Sequence, residues 1–379
     1  MEKTVCVLQC KDYNEENVRN ALLEMLEKLN AKEFIKEGVK VGIKVNLLTA
    51  AKPEKAVTTN YVMVSELCRI ISEMGAVAVI GDSPGGPFNQ IALKPTYSVT
   101  KMTEAEKYGA KLNMNFEQKD AFFNEAKNAK TFKYTAWLDD VDVIINFAKL
   151  KTHGMMGMTA CVKNLFGTIP GTIKPEYHLR FPTEEKFADM LIDLNEYFKP
   201  SLNLVDAVIG MEGNGPGSGD PRYIGAVIGS RSPYLADMVC AEIINAPFNS
   251  LPTVNQAIKR ELCPESIDEI NVIGDIGKVK VSDFKLVRKR KSLQFFENNG
   301  IFKSLFKNTM DSKPEVENQT CIGCGKCSDV CPAKAIVMKN KKPYIERNKC
   351  IKCFCCQEFC PKGAIVVHKP IIAKILSKI

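Results

Sequence analysis

VKVGIKVNLLTAAKPEKAVTTNYVMVSELCRIISEMGAVAVIGD, residues 39–82, is the stretch whose reading decides the fold class. Its first ten residues form a mostly apolar run that ends in a polar elbow at Asn46. YVMVSELCRIISEMGA then places apolar side chains at helical spacing and closes at Gly75, and AVAVIGD is a second apolar run. Strands that are apolar along most of their length, separated by a helix, predict a parallel sheet covered by helices on both faces.

The same grammar extends in both directions. Toward the N-terminus, VCVLQC (5–10) reads as a buried strand. It is followed by NVRNALLEMLEKLNA, a helix with Val18, Leu22, Met25, Leu26 and Leu29 on one face and Asn14 as its cap. Toward the C-terminus, VDVIINFAKLKTHG and NLVDAVIG read as strands, YIGAVIGS as a hairpin-like return, and IDEINVIGD as a last strand. TEEKFADMLIDLNEYF and ADMVCAEIINA read as helices, and MTACVKNLFGTIPG as a helix ending at Gly167 or Gly171. Residues 88–140 are less regular and read as several helical stretches in a charged region. The expectation is an α/β domain over residues 1–278, with a mainly parallel sheet covered by helices. A basic, partly helical linker over 279–314 and a small α+β ferredoxin-like domain over 315–368 follow. The basic, amphipathic tail 369–379 is expected to pack back onto the protein.

The last sixty residues carry the clearest chemistry. Cys321, Cys324, Cys327 and Cys331 follow C-x2-C-x2-C-x3-C with Pro332 next, and Cys350, Cys353, Cys356 and Cys360 repeat it before Pro361. Two such runs in tandem are the bacterial spacing for two 4Fe–4S clusters, in which the fourth cysteine of each run ligates the other cluster. One ligand set is therefore Cys321, Cys324, Cys327 and Cys360, and the other Cys350, Cys353, Cys356 and Cys331. A zinc site would not explain the tandem, proline-closed repeat. Of the fifteen cysteines, Cys355 is a spare inside the second run, and Cys6, Cys10, Cys68, Cys161, Cys240 and Cys263 have no disulfide-framework spacing. Cluster thiolates need a reducing compartment.

Length and composition allow two domains with real cores: 379 residues, 45% hydrophobic. The net charge of +8 comes without an aromatic-interleaved basic patch, so no nucleic-acid partner is expected. A basic rim can attract an acidic redox partner or an anionic substrate. No apolar stretch reaches membrane-spanning length and the N-terminus lacks an apolar signal region, so a cytoplasmic protein without a membrane span is expected.

Four polar loops follow apolar strands: at Asn46, at GDSPGG (81–86), at KLKTHG (149–154) and at MEGNGPGSGDP (211–221). In open α/β sheets ligands bind beyond the carboxyl ends of the strands, where such loops gather. Lys149, Lys151, His153 and Lys163 are candidate catalytic groups: lysines at a strand end can hold a carboxylate or phosphate, and a histidine can move protons near neutrality. Asn46, Asp82, Asn164 and Glu212 are candidate substrate- or cofactor-binding residues, with Asp206 beside the fourth loop. The glycines at 213, 215, 217 and 219 fit neither the dinucleotide fingerprint nor a Walker loop, and a strand follows them instead of a helix.

The stretches KVNLL, GDSPGG, INFAKLKTHGMMGMTACVKNLFGTIPG and DAVIGMEGNGPGSGDP together resemble the family called domain of unknown function 362, over roughly residues 35–245. The appended cysteine module looks like an arrangement found in many members. The resemblance implies an iron–sulfur protein, mostly of anaerobic bacteria or archaea, and assigns no reaction. At the level of general design the large domain is also similar to nickel-pincer lactate racemases. The expected function is an oxidoreductase component that relays low-potential electrons between a soluble partner and a strand-end site open to a small anionic substrate. The alternatives are a non-enzymatic carrier or assembly factor docking a partner enzyme, or a racemase-like metal-cofactor enzyme with accessory clusters.

Overall fold

The structure, a computed structural model, describes residues 3–287 and 313–368. Most of the expected basic linker and all of the expected amphipathic tail lie outside the described residues.

Fifteen strands and eight principal helices build the described chain. The strands are β1 (Thr4–Gln9), β2 (Lys40–Lys44), β3 (Val77–Gly81), β4 (Lys111–Leu112), β5 (Gln118–Phe122), β6 (Thr131–Thr135), β7 (Val143–His153), β8 (Gly157–Thr159), β9 (Leu202–Glu212), β10 (Asp220–Ser230), β11 (Asn271–Gly274), β12 (Lys313–Val316), β13 (Ile336–Lys339), β14 (Lys342–Ile345) and β15 (Ile365–His368). The helices are α1 (Glu15–Lys28), α2 (Tyr61–Glu73), α3 (Gln90–Val99), α4 (Cys161–Asn164), α5 (Lys174–Arg180), α6 (Glu184–Phe198), α7 (Pro233–Ile243) and α8 (Pro252–Lys259). Asn14, Asn60 and Asn89 cap α1, α2 and α3, each side chain accepting a backbone N–H of the first turn.

One nine-stranded sheet organises the large domain in the order β11-β1-β10-β9-β7-β2-β3-β4, with β8 paired to β7. β4, β3, β2, β7 and β9 are mutually parallel, β10 runs antiparallel between β9 and β1, and β11 is parallel to β1. The expected α/β fold with a mainly parallel sheet is therefore what forms, and β9–β10 is the expected hairpin return.

Alternation along each strand sends its side chains to two cores. Cys6, Leu8, Val41, Ile43, Ile145, Phe147, Leu202 and Leu204 join α1, α2 and α3 on one face. Val5, Val7, Ala148, Leu150, Val205 and Ala207 join α7 and α8 on the other. Val279 and Phe284 are buried in this second core, so the chain beyond β11 still packs on the large domain. The single tryptophan, Trp137, lies over Gly42 and Gly81, where any Cβ would strike its ring or the neighbouring Val141.

Two segments differ from the sequence reading. Residues 88–140 contain α3 but also the hairpin β5–β6, in which β5 is almost entirely exposed and only β6 alternates, with Phe132 and Tyr134 buried. The helix expected through Gly167 stops at Asn164 and continues as a tighter turn, Leu165–Thr168. No helix among the described residues is long and apolar enough to cross a membrane.

Residues 313–368 form a small module of paired halves. β12 pairs with β15 and β13 with β14, and the short helices Lys326–Asp329 and Cys355–Glu358 occupy matching places in the two cysteine runs.

Candidate functional site

The module sits on the strand-end loops of the large domain, and glycine backbone makes the seat. A Cβ on Gly85 would enter the ring of Phe359, and one on Gly154 would meet the Gln357 side chain and Phe354. A Cβ on Gly363 of the module would come within 2.8 Å of Ser218. Asn214 donates to the Ile365 carbonyl at 3.2 Å and pairs with the Gln357 amide, while Phe354 is buried in the cluster that contains Met155 and Met156. The loops GDSPGG, KLKTHG and GNGPGSG thus meet the module directly.

Between module and sheet lies a pocket whose lining includes Asn46, Asp82, Lys163, Asn164, Lys174 and His178, with Cys355, Glu358 and Phe359 from the module. The large domain supplies the cationic wall. Lys44, at the last position of β2, is fully buried and makes an ion pair with Asp82 at 2.7 Å. The second Asp82 oxygen accepts the Leu47 N–H at 2.7 Å, which pins the Asn46 elbow to the β3 loop. Burial lowers the Lys44 ammonium, and Asp82 opposes that shift. Lys174, on α5, donates to the Ser83 carbonyl, and burial brings it down to about 8. Burial also holds His178 at about 3, with Lys163 adding repulsion, so its imidazole is neutral at physiological pH.

Lys151 stands behind Asn46. Its ammonium donates to Asn46 Oδ1 at 2.8 Å and to the Val57 carbonyl at 2.6 Å, and no carboxylate lies within ion-pair distance among the described residues. Asn46 in turn donates to Asn164, Asn164 to Asn146, Asn146 to Asn203, and Asn203 to the Arg231 carbonyl, at 2.8–3.2 Å. This file of amides across β2, β7 and β9 orients every carbonyl toward Lys151, and each bond polarises the next.

Burial is the main reason the Lys151 ammonium falls to about 7. Lys163 and Lys149 push it further down, while Glu358 and Asp82 oppose. A lysine in the unfolded chain titrates near 10.4. Between these values the unfolded chain holds a proton the folded one has released, so stability rises with pH across that window. Denaturant midpoints measured from pH 7 to pH 9 should climb, and Lys151→Met should lose part of that climb. Parallel pH profiles for the two proteins would remove this assignment.

His153, at the end of β7, accepts the N–H groups of Met155 and Met156 at Nδ1, both at 3.1 Å, which places its own proton on Nε2. That nitrogen lies 3.9 Å from Glu358 of the module. Lys149 points elsewhere. It pairs with Asp206 at 2.8 Å and donates to the Tyr13 hydroxyl, wholly buried under the sheet. Glu212 is engaged by the backbone N–H and the ammonium of Lys285, away from the pocket.

Of the eight non-cysteine residues singled out in the sequence, Asn46, Asp82, Lys163 and Asn164 therefore share the pocket. Lys151 is joined to it through Asn46, and His153 through Glu358. Lys149 and Glu212 are held in separate contacts. Lys44, Lys174 and His178 lie outside that set of eight. Their signals were a lysine inside an otherwise apolar strand, and IKPEYH following the glycine turn.

In the module, a surface depression is lined by Cys321, Cys324, Cys327 and Cys360 together, flanked by Lys326 and Lys362. Cys331 lies instead within electrostatic reach of Cys350 and Cys356. The Cys331 and Cys360 sulfurs each accept a backbone N–H from four residues on, Ala335 and Ala364, at 3.2 Å. No group of His, Cys, Asp or Glu among the described residues closes around a single metal ion. Four cysteines lining one depression, and N–H donors aimed at the Cys331 and Cys360 sulfurs, suit iron–sulfur ligation.

Residues 41–242 match the family described as "Domain of unknown function (DUF362)", and residues 313–361 match the "4Fe-4S dicluster domain", so the protein is an iron–sulfur protein. A "thylakoid-associated protein" of Synechocystis is 28% identical over 293 residues, covering 76% of this chain and 88% of that protein. Among solved structures, a Thermotoga maritima protein aligns with a TM-score of 0.36 at 12% identity, over 62% of this chain and 59% of its own. The lactate racemase apoprotein of Thermoanaerobacterium thermosaccharolyticum aligns at 0.38 and 11%, over 62% and 56%. This chain thus spans little more than half the length of those two structures.

Proposed function

The chain belongs to the family described as domain of unknown function (DUF362) and carries a 4Fe–4S dicluster domain, and on that premise we propose that it is a cytoplasmic oxidoreductase component. In this reading it relays electrons between a soluble partner and a small anionic substrate in the pocket beneath the module. Cys321, Cys324, Cys327 and Cys360 are the proposed ligands of an outer cluster, and Cys350, Cys353, Cys356 and Cys331 those of an inner one. When bound, two such clusters supply one-electron chemistry at low potential.

One observation carries the reading: the helix Cys355–Glu358, which begins between the inner ligands Cys353 and Cys356, forms one wall of the lysine-lined pocket. The opposite end of the module supports the direction of flow. Cys324 and Ile322 are exposed there, whereas Cys353 and Cys356 are buried. Large domain and module then have separate duties: Lys163 and Lys174 attract and orient an anion, and the seated module brings the inner ligands against it while limiting access of water.

A positive charge beside a cluster favours its reduced form. Lys163→Met is therefore expected to lower the midpoint potential of one cluster by roughly tens of millivolts and leave the other unmoved, as followed by potentiometric EPR titration of the anaerobically reconstituted protein. Potentials that are both unchanged, or that shift together, would overturn the relay.

A further inference from the structure

We propose, resting on the relay reading above, that the pocket beneath the module is a binding site for a small organic dianion, gripped by Lys163 and Lys174 with the imidazole of His178 as a neutral hydrogen-bonding partner.

The pocket holds more buried positive charge than its own carboxylates can match. Lys44 is answered by Asp82, and of the remaining charges Lys163 and Lys174 outnumber Glu358, which lies 3.9 Å from the neutral imidazole of His153. Lys163 and Lys174 have no carboxylate within 4 Å among the described residues. Among the described residues the Lys163 ammonium faces the ring of Phe166, 5.6 Å from its centroid. Lys174 has the same ring at 5.7 Å and the Ser83 carbonyl. Both side chains line the pocket; Lys163 is buried and Lys174 is partly buried. A carbonyl dipole and a π face only partly replace the water lost around an ammonium, so two such groups side by side repel each other and await an anion.

His178 gives an independent indication. It is 3% exposed, lines the same pocket, and its Nδ1 is buried with no hydrogen-bond partner among the described residues. Stacking on Phe187, at 4.3 Å between centroids and 7° between planes, fixes the ring. An unsatisfied buried ring nitrogen is costly unless a ligand completes it. Two ammonium groups set one charge each, the neutral imidazole adds one hydrogen bond, and Phe166 and Phe359 leave an apolar middle. That combination suits a compact molecule with two anionic groups on a short carbon frame.

The test is calorimetric titration of the intact, oxidised holoprotein at neutral pH with succinate as dianion and acetate as monoanion. Saturable succinate binding is expected, with acetate at least tenfold weaker. Lys163→Met and Lys174→Met should each weaken succinate tenfold or more, His178→Phe by a smaller factor, and all three should keep the parent's iron content. No saturable succinate binding by the parent overturns the proposal. So does succinate affinity that survives both lysine substitutions, or a parent that takes acetate equally well. The two readings fail separately. Loss of binding in these variants with both midpoint potentials unmoved would sink the relay and keep the dianion site, and a one-cluster potential shift with no succinate binding would do the reverse.

Discussion

Replacing Cys360 with alanine is expected to remove the cluster of the first cysteine run, although Cys360 belongs to the second. Iron should fall from about eight to about four per chain, with one EPR signal of the reduced protein lost. The control is a comparison of variants. If ligation is crossed, the spectrum of Cys360→Ala matches that of Cys324→Ala; if it is not, it matches that of Cys353→Ala. Cys331→Ala should do the converse and match Cys353→Ala. The grounds are that Cys360 lines one depression with Cys321, Cys324 and Cys327, and that Cys331 acts electrostatically on Cys350 and Cys356. The matching N–H···S contacts from Ala335 and Ala364 place both crossing sulfurs in the same local setting. Matching of Cys360→Ala to Cys353→Ala would refute the assignment outright.

The second large effect belongs to the scaffold. Asp206 is fully buried and accepts from the Tyr13 hydroxyl at 2.8 Å, the Asn60 N–H at 2.9 Å and the Lys149 ammonium at 2.8 Å. One carboxylate therefore ties β9 to β7, to the start of α2 and to the turn before α1. Asp206→Ala leaves Lys149 as an uncompensated buried charge, and the expected loss is about 3–5 kcal/mol. Urea unfolding followed by the fluorescence of Trp137, the chain's single tryptophan, would measure it. Replacing both partners, Asp206→Leu with Lys149→Met, should recover much of the loss, because the cost lies in the orphaned ammonium. A single-variant loss below about 1 kcal/mol would show that Lys149 finds other compensation.

Much of this architecture is written locally. The strands β2, β3, β7 and β9 announce themselves as apolar runs, the helices α1, α2 and α6 by their periodicity, and the cysteine module by spacing alone. The strand-end loops were also correctly gathered on one edge, which is why Asn46, Asp82, Lys163 and Asn164 share a pocket. What local pattern could not carry was direction. Lys149 and Lys151 are two residues apart on one strand and point to the same face, yet one meets Asp206 and the other Asn46, more than fifty residues away in each case. Only the assembled sheet decides which lysine acquires a carboxylate. Glu358 and Phe359 were invisible as pocket residues because they come from the other domain. β5 offers no apolar alternation to read because it is exposed on both faces, although its partner β6 does alternate, with Phe132 and Tyr134 buried.

Where the seat is bare backbone, at Gly85 and Gly154, it has no side chain with which to adjust. At Gly85 and Gly154 even a methyl group collides with the module, so compensating change can arise only at the module's Phe354, Gln357 and Phe359. Descent is constrained in one direction. The loops must stay nearly fixed while the module is free to vary only within their outline. A foreign cluster domain spliced after residue 312 would bring suitable cysteines and still find no place to rest, unless it carried the same ring and amide at those positions. The two parts are therefore expected to be inherited together.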